Sequence, residues 1–557
     1  MPMRLADRVR GRSDLLDLVF SESGEIGREL FIAAAASGLA NAGILAIVNS
    51  AAQQASSETP GIRLLGLFVV AMAIYIHSLR FTFRRANEVF ADVIHRVRVR
   101  LANKIRHSEL VTLERIGIGP IYNVMSQQTH VITETAMLIS GSLQASIMIV
   151  FASLYIIVLS VPAFLLTTVL LGVGVWMYRE RQTEARTSIQ QATQKDIEFF
   201  DTVTHALRGF KETKLNEPRA RDLYTDLAEV SAQQRTLHAA TTEIFTQNYI
   251  FSQSVFYVVI AAIVFLLPRL LPTYGENLSQ ITTAILFIVG PLSMVVSSVP
   301  QFANANLAAG QIRELERTLD ELNQWGEEAP DAGLGAGKAG FERIELDEIT
   351  FSYYAPAGET LFTVGPASLS LDAGEILFII GGNGSGKTTL LNVLTYLYPP
   401  ESGVIRCDGV EIDGENASEY RSLFAAIFAD FHLFEKLYGL YDADPEGVEA
   451  LLQQMQIADK TSFVDDRFTE LDLSTGQKKR LALVITLLDD RPIFVFDELA
   501  ADQDPAFRRF LYEELLPNLK RRGKTIVAVT HDDRYFGIAD RVVKMEYGKF
   551  VPYTQPS

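Results

Sequence analysis

Six stretches are apolar and nearly free of charge: residues 31–50, 62–83, 136–160, 162–177, 247–267 and 281–300. Each approaches the roughly 20 apolar residues that cross the hydrocarbon core of a bilayer, so the pattern predicts six membrane spans. The connections alternate. Residues 51–61, the turn near Val161 and residues 268–280 are short and nearly free of Lys and Arg, whereas those after the second and fourth spans are long and rich in Arg. Positive charge is retained on the cytoplasmic side, which puts both long segments and both termini there. Residues 1–27 carry Arg4, Arg8, Arg10 and Arg12 before Leu15, Leu16, Leu18, Val19 and Phe20. They read as an amphipathic helix on the cytoplasmic membrane face. A secretory signal is the competing reading, but the apolar stretch that follows is nearly span length and more spans come after it.

The two long connections, 84–131 and 179–245, keep a helical apolar period with few breakers, and each predicts a helical hairpin. Two helices of about 24 residues would project roughly 35 Å from the membrane. Turning points are expected at 113–122, with Gly117, Gly119 and Pro120, and at 207–217, with Gly209 and Pro218 just beyond. Within the spans His77 is the main ionisable exception, and its neighbours Arg80, Arg84 and Arg85 favour an interfacial position. Ser293, Ser297, Gln301 and Asn304 recur on one helical face, and Gln247, Asn248 and Gln253 give the fifth span a polar end. Such groups can line a cavity for a neutral or amphipathic cargo, or bond neighbouring helices.

The pattern then changes. Residues 326–340 are dense in Gly, Ala and acidic side chains and read as part of a linker over 323–340 between a membrane domain, 1–322, and a soluble domain, 341–557. The soluble part opens with an alternating strand at 341–354. Short apolar runs bounded by turns follow at 375–380, 492–496 and 525–530, and a helix is expected at 478–488. The predicted fold is six transmembrane helices fused to an α/β P-loop domain.

Composition agrees with partial solvation by lipid: 48% of the 557 residues are hydrophobic and 21% charged. Net charge is −17, and nearly all of the excess falls after residue 320. No basic domain is left to displace counterions, which argues against a nucleic-acid partner. The single cysteine, Cys407, excludes an intramolecular disulfide framework.

The chemistry concentrates in the soluble part. Residues 381–389 read GGNGSGKTT between a strand and a helix, the context of a phosphate-binding loop. Gly382, Asn383, Gly384, Ser385 and Gly386 offer backbone N–H groups to an anion, Lys387 reaches outer phosphates, Thr388 is a Mg²⁺ ligand, and Thr389 completes the loop. The run 492–496 ends in Asp497 and Glu498, carboxylates suited to hydrated Mg²⁺ and to an attacking water. Ser474, Thr475, Gly476 and Gln477 precede a helix and offer a second anion site, while His531 ends a strand, placed either to touch a terminal phosphate or to be merely a polar strand end.

In this order and spacing the motifs resemble the ATP-binding cassette ATPases, and with six preceding spans the chain resembles the exporter type. The resemblance implies ATP and Mg²⁺, and a homodimer that closes on two ATP molecules. Ser474 and Gly476 of one copy would then meet the phosphate held by Lys387 of the other. It further implies that Tyr353 stacks on adenine, that Glu498 is the general base or water-orienting carboxylate, that His531 contacts the γ-phosphate, and that Asp504 lies in the loop linking the sites. Departures are visible. Thr475 stands where glycine is usual, and Ala429 in FADFHLF stands where a magnesium-contacting glutamine is expected, leaving Asp430 or a water as the substitute. The wording LSTGQKKRLAL with FDELAADQDP is similar to bacterial cyclic-peptide and peptide-siderophore exporters, the group that includes syringomycin and pyoverdine-precursor transporters. That implies a small peptide cargo, a phospholipid bilayer as surroundings and the bacterial inner membrane as location. A lipid flippase or exporter shares every motif, and an ATP-gated sensor that moves nothing is the third reading.

Overall fold

The computed structural model describes residues 13–23, 26–55, 61–270, 278–322, 340–355 and 358–553. The arginine-rich start and, except for Gly340, the linker expected over 323–340 lie outside them. The chain divides into two compact units. One holds Lys104–Ile118 together with the chain from Thr318 onward, and the other holds the segments up to Asn103 and Gly119–Arg317.

In the membrane unit, six helices among the described residues are long and apolar enough to cross a bilayer: Ile32–Gln53, Ile62–His107, Ile118–Leu159, Val161–Tyr178, Glu217–Arg269 and Leu278–Glu321. Several run far beyond a span, and Leu278–Glu321 does so through Pro291 and Pro300. The helix Ile62–His107 has 46 residues, about 69 Å at 1.5 Å each. It stops at Ser108 and Glu109, and Gly117, at φ 82°, marks the next break. The helix Val161–Arg208 is started by Ser160, whose hydroxyl accepts the Ala163 N–H at 3.3 Å, and it ends at Gly209. The return helix begins after Asn216, whose side chain caps it by accepting the Arg219 N–H. Both hairpin turns thus fall inside or beside the expected segments.

Most Ser and Thr hydroxyls in this unit donate to carbonyls of their own helix, and a few polar groups pair between helices. Gln144 Nε2 donates to Ser37 Oγ at 2.9 Å in a buried pair, and Gln253 Nε2 donates to Ser293 Oγ at 2.6 Å. Asn248 is buried and its Nδ2 has no partner. Of the polar stripe on the sixth span, Ser293 therefore bonds a neighbouring helix, whereas Ser297, Gln301 and Asn304 are exposed in the single chain. The described start of the amphipathic segment, Asp14–Ser23, buries Leu15 and Leu18 in protein rather than offering them to lipid. Arg313 pairs with Asp14 at 3.0 Å and Asp17 at 3.5 Å, and Asn306 Oδ1 accepts from Ser13 Oγ and the Leu15 N–H.

The other unit is built on two sheets. The larger has the strand order 549–551, 541–546, 376–381, 525–529, 493–497, 424–427, all parallel except the first pair. Strands Ile376–Gly381, Thr525–Val529 and Ile493–Asp497 are apolar nearly throughout, as strands covered on both faces must be. One face packs on Phe378, Phe494, Phe496, Leu483 and Phe507, the other on Leu377, Ile379, Leu390, Val495 and Val527. An antiparallel sheet orders strands 360–372, 343–354, 402–407 and 410–411 beside this core. Leu110 and Val111, from the tip of the first hairpin, pack on the second of these clusters, and Tyr398 OH donates to Glu114 Oε2 at 2.7 Å. Burial, and then that carboxylate, push the Tyr398 phenol upward, so it stays a proton donor.

Candidate functional site

Parallel pairing decides where the chemistry meets. Val529 is registered with Ile379 on one side and Asp497 on the other, so three neighbouring strands end together. The loops after their carboxyl ends carry residues 381–389, Asp497 with Glu498, and Thr530 with His531. A crevice at that edge of an open α/β sheet is where such folds bind ligands.

The phosphate-loop candidate follows the strand directly. Gly381, Gly384 and Gly386 have φ of 153°, 74° and 97°. At Gly386 a Cβ would come within 2.8 Å of Val364 Cγ2, and at Gly381 within 2.3 Å of the Met545 carbonyl oxygen. Gly381 and Gly386 are required by both conformation and space, and Gly384 by conformation alone. The helix Lys387–Leu394 starts from Gly386, and its first N–H groups point back over the loop without intrahelical acceptors. Gly382, Asn383 and Gly384 form the exposed tip. Lys387 is buried, and its ammonium donates to the carbonyl oxygens of Gly381 and Gly382 at 3.0 Å each. Ser385 Oγ is buried with no hydrogen-bond partner. An orphaned hydroxyl, free N–H groups and a lysine curled over its own loop fit a phosphate chain.

The Thr388 hydroxyl donates to Asp497 Oδ2 at 2.7 Å. Burial pushes the Asp497 carboxyl up, and Glu498 adds to this, while Thr388, Lys387 and the Ala429 backbone N–H work against it. A buried carboxylate beside a threonine hydroxyl gains most from a cation. Among the described residues no group of three or more His, Cys, Asp or Glu forms a ready metal cage, which suits Mg²⁺ held by one or two carboxylates together with substrate phosphates. Asp430 is exposed, next to Ala429.

Glu498 has φ 52°, the left-handed region, which costs a residue with a Cβ about 1–2 kcal/mol. Its N–H donates to the Val529 carbonyl at 3.2 Å, and its Oε1 lies 3.0 Å from His531 Nε2. Carboxylate and imidazole are half-exposed and hydrogen-bonded to each other at the sheet edge. Tyr353 reaches the loop as well: its hydroxyl lies 3.2 Å from Thr389 Oγ1, and its ring stands edge-on to Phe351 and Tyr398.

The structure brings Tyr353, residues 381–389, Asp497, Glu498 and His531 together. Ser474 starts the helix Thr475–Asp489 with a capping box, in which Gln477 Oε1 accepts the Ser474 N–H at 3.0 Å. The return bond, from the Gln477 N–H to Ser474 Oγ, is long at 3.5 Å, so the exposed hydroxyl is barely committed. Thr475 is exposed, whereas a Cβ on Gly476 would lie 2.6 Å from the Asp502 carbonyl oxygen. The glycine that the packing requires is therefore the second of the pair, which is why threonine is tolerated at 475. Asp504 caps the helix Pro505–Arg509 and pairs with Arg480. The Phe507 N–H and then Arg480 hold its carboxyl below the ordinary range.

Two neighbours of this region escaped the sequence reading. Lys479 and Arg480 tie the helix Thr475–Asp489 to the loop after Glu498: Arg480 Nε donates to Gln503 Oε1 at 3.0 Å, and its guanidinium sits 4.0 Å from the Phe507 ring centroid. A signal was present, since Lys479 precedes Ala482 and Leu483 by three and four residues and shares their buried face.

The family described as ABC transporter matches residues 364–501. The chain is 32% identical over 529 residues to "ATP-binding protein SyrD" of Pseudomonas syringae pv. syringae, covering 92% of each chain. It is 23% identical over 554 residues to the "ATP-dependent lipid A-core flippase" of Burkholderia thailandensis, covering 96% of this chain and 85% of that one. Its fold is similar to a bacterial Atm1-family ABC exporter with ATP bound, with a TM-score of 0.75 at 17% identity over 97% of this chain and 95% of that one. End-to-end likeness at this level, on a chain that joins six membrane-spanning helices to a phosphate loop and a paired carboxylate, has one reading: the protein belongs to the ABC transporters, as an exporter-type half-transporter whose ATP-binding domain couples hydrolysis to transport.

Proposed function

We propose that two copies of this chain export a small cyclic peptide or peptide siderophore across the bacterial inner membrane by alternating access, with both termini in the cytoplasm. The observation that carries the dimer is the single set of parts per chain: one phosphate loop and one exposed Ser474–Gly476 helix start, which are complementary to each other rather than duplicated. Residues 382–389 hold the phosphates of ATP, and Tyr353 stacks on its base. Thr388, Asp497 and, in place of the missing glutamine at 429, Asp430 would hold Mg²⁺, which when bound neutralises phosphate charge. Glu498 orients the attacking water, His531 steadies Glu498 and touches the terminal phosphate, and Asp504 fixes the loop between the two sites.

The cargo assignment rests on the resemblance in 473–483 and 496–505, the likeness to SyrD over nearly the whole chain, and the chemistry of the spans. Apart from His77 and from Arg63 and Arg80 near the ends of the second span, their polar groups are mainly neutral amides and hydroxyls, and Ser297, Gln301 and Asn304 are exposed in the single chain. A carrier of phosphorylated lipid would be expected to keep basic residues at that depth. The lipid reading keeps support from the flippase relative. The test is ATP-driven uptake into inside-out vesicles holding the purified protein, with a labelled cyclic lipopeptide in one arm and a labelled phospholipid in the other. Peptide uptake that stops with Glu498→Gln is expected. Movement of lipid alone would transfer the assignment, and ATP hydrolysis with neither cargo moving would favour a sensor.

A further inference from the structure

The loop that opens with Glu498 is held by a side chain to which the motifs give no role. Lys479 is buried, and its ammonium donates to the Glu498 carbonyl at 3.0 Å, the Ala501 carbonyl at 3.1 Å and Asp502 Oδ2 at 3.2 Å. A lysine ammonium has three hydrogens, and all three acceptors belong to one five-residue loop. Both ends of that loop, Glu498 at φ 52° and Asp502 at φ 65°, are left-handed. Side chains other than glycine stay in that region only where their surroundings fix them. Lys479 also lies one helical turn from Ser474–Gly476, whose backbone is bonded just beyond that loop: Gln503 Nε2 donates to the Gly476 carbonyl at 3.0 Å.

We propose that Lys479 is a positioning residue for Glu498, holding the strained loop 498–502 to the helix Thr475–Asp489 so that the carboxylate keeps its angle to the water. This rests on the reading of Glu498 as the water-orienting group. It adds a link that the motifs alone do not contain. The helix whose start faces one nucleotide sets, through one ammonium, the carboxylate serving the other, so engagement at Ser474–Gly476 is felt at Glu498 of the same chain.

The test uses the full chain in lipid nanodiscs and measures kcat and KM for ATP, together with ATP affinity in EDTA, where turnover stops. Lys479→Met keeps the length and removes the donor. Its kcat falls about 10- to 100-fold, the scale for a misplaced catalytic group, while affinity stays within about threefold. Lys479→Arg recovers most of the loss. Lys479→Gln, a neutral donor, gives a smaller version of the same split and serves if the apolar variant does not fold. The deciding readout is the pair with Glu498→Gln: because Lys479 acts through Glu498, the double variant is no slower than Glu498→Gln alone. A folded Lys479→Met or Lys479→Gln with kcat within about twofold of the unaltered protein overturns the proposal, as does a multiplicative loss in the double variant. Near-normal turnover by Glu498→Gln itself would instead overturn the role given to Glu498.

Discussion

Gly476→Ala tests the packing of the site directly. The added methyl would lie 2.6 Å from the Asp502 carbonyl oxygen, about 0.8 Å inside ordinary contact. That oxygen is backbone, in a loop tied at Glu498, Ala501 and Asp502 to the helix bearing the new methyl. Neither side can yield without moving the other. Overpacking of this kind costs about 1–3 kcal/mol, which for a domain of this size is a melting shift of roughly 2–10 °C. The larger effect is on rate, since the movement needed to relieve the clash passes to Glu498, and a displacement near 1 Å can cost about 100-fold in turnover. Thr475→Gly is the control. Its side chain is exposed, so replacement changes stability by less than about 1 kcal/mol. The assay is ATP hydrolysis in nanodiscs beside thermal unfolding. A silent Gly476→Ala, or a Thr475→Gly that does the damage instead, would refute the reasoning.

Three further outcomes follow. Glu498→Gln keeps ATP affinity and stabilises an ATP-dependent dimer, while hydrolysis drops about 100-fold or more; steady-state turnover and cross-linking measure the two. Burial raises the Asp497 pKa in the folded chain, so its ionised form costs stability at neutral pH and the cost fades as pH falls below its folded pKa. Asp497→Asn therefore raises the melting temperature at pH 7 in EDTA, shows little gain in acid, and loses the extra stabilisation that Mg²⁺ with ATP gives the unaltered protein; a lower melting temperature in EDTA contradicts this. Tyr398→Phe removes the donor to Glu114. Basal hydrolysis persists within about threefold, and stimulation by cargo falls; unchanged stimulation would show that this hydrogen bond carries no signal.

The local parts of the site were legible because their causes are local. A strand, a glycine turn and a helix start at 376–394 follow from adjacent residues, and the spans follow from continuous apolar runs. Ser474–Gln477 read as a helix start because a helical run follows directly, whereas the capping bond from the Ser474 N–H to Gln477 came only with the structure. What escaped depends on partners far apart in sequence. Tyr398 and Glu114 are separated by 284 positions, and nothing local in either announces the other. Nothing local separates Lys479 from its basic neighbours in KKR; only its depth shows that it must be satisfied inside. The threonine at 475 was visible as a departure, but only the Asp502 carbonyl explains why the next position could not have varied instead.

The left-handed backbone at residue 498 sets endurance against work. Glycine or asparagine would adopt that conformation more comfortably than glutamate, so libraries sorted only by survival of heating should enrich them there. Such a lineage would grow sturdier while losing the carboxylate proposed to aim the water at the fuel. Any attempt to harden this machine for use outside the cell has to hold that one position fixed and look for robustness elsewhere.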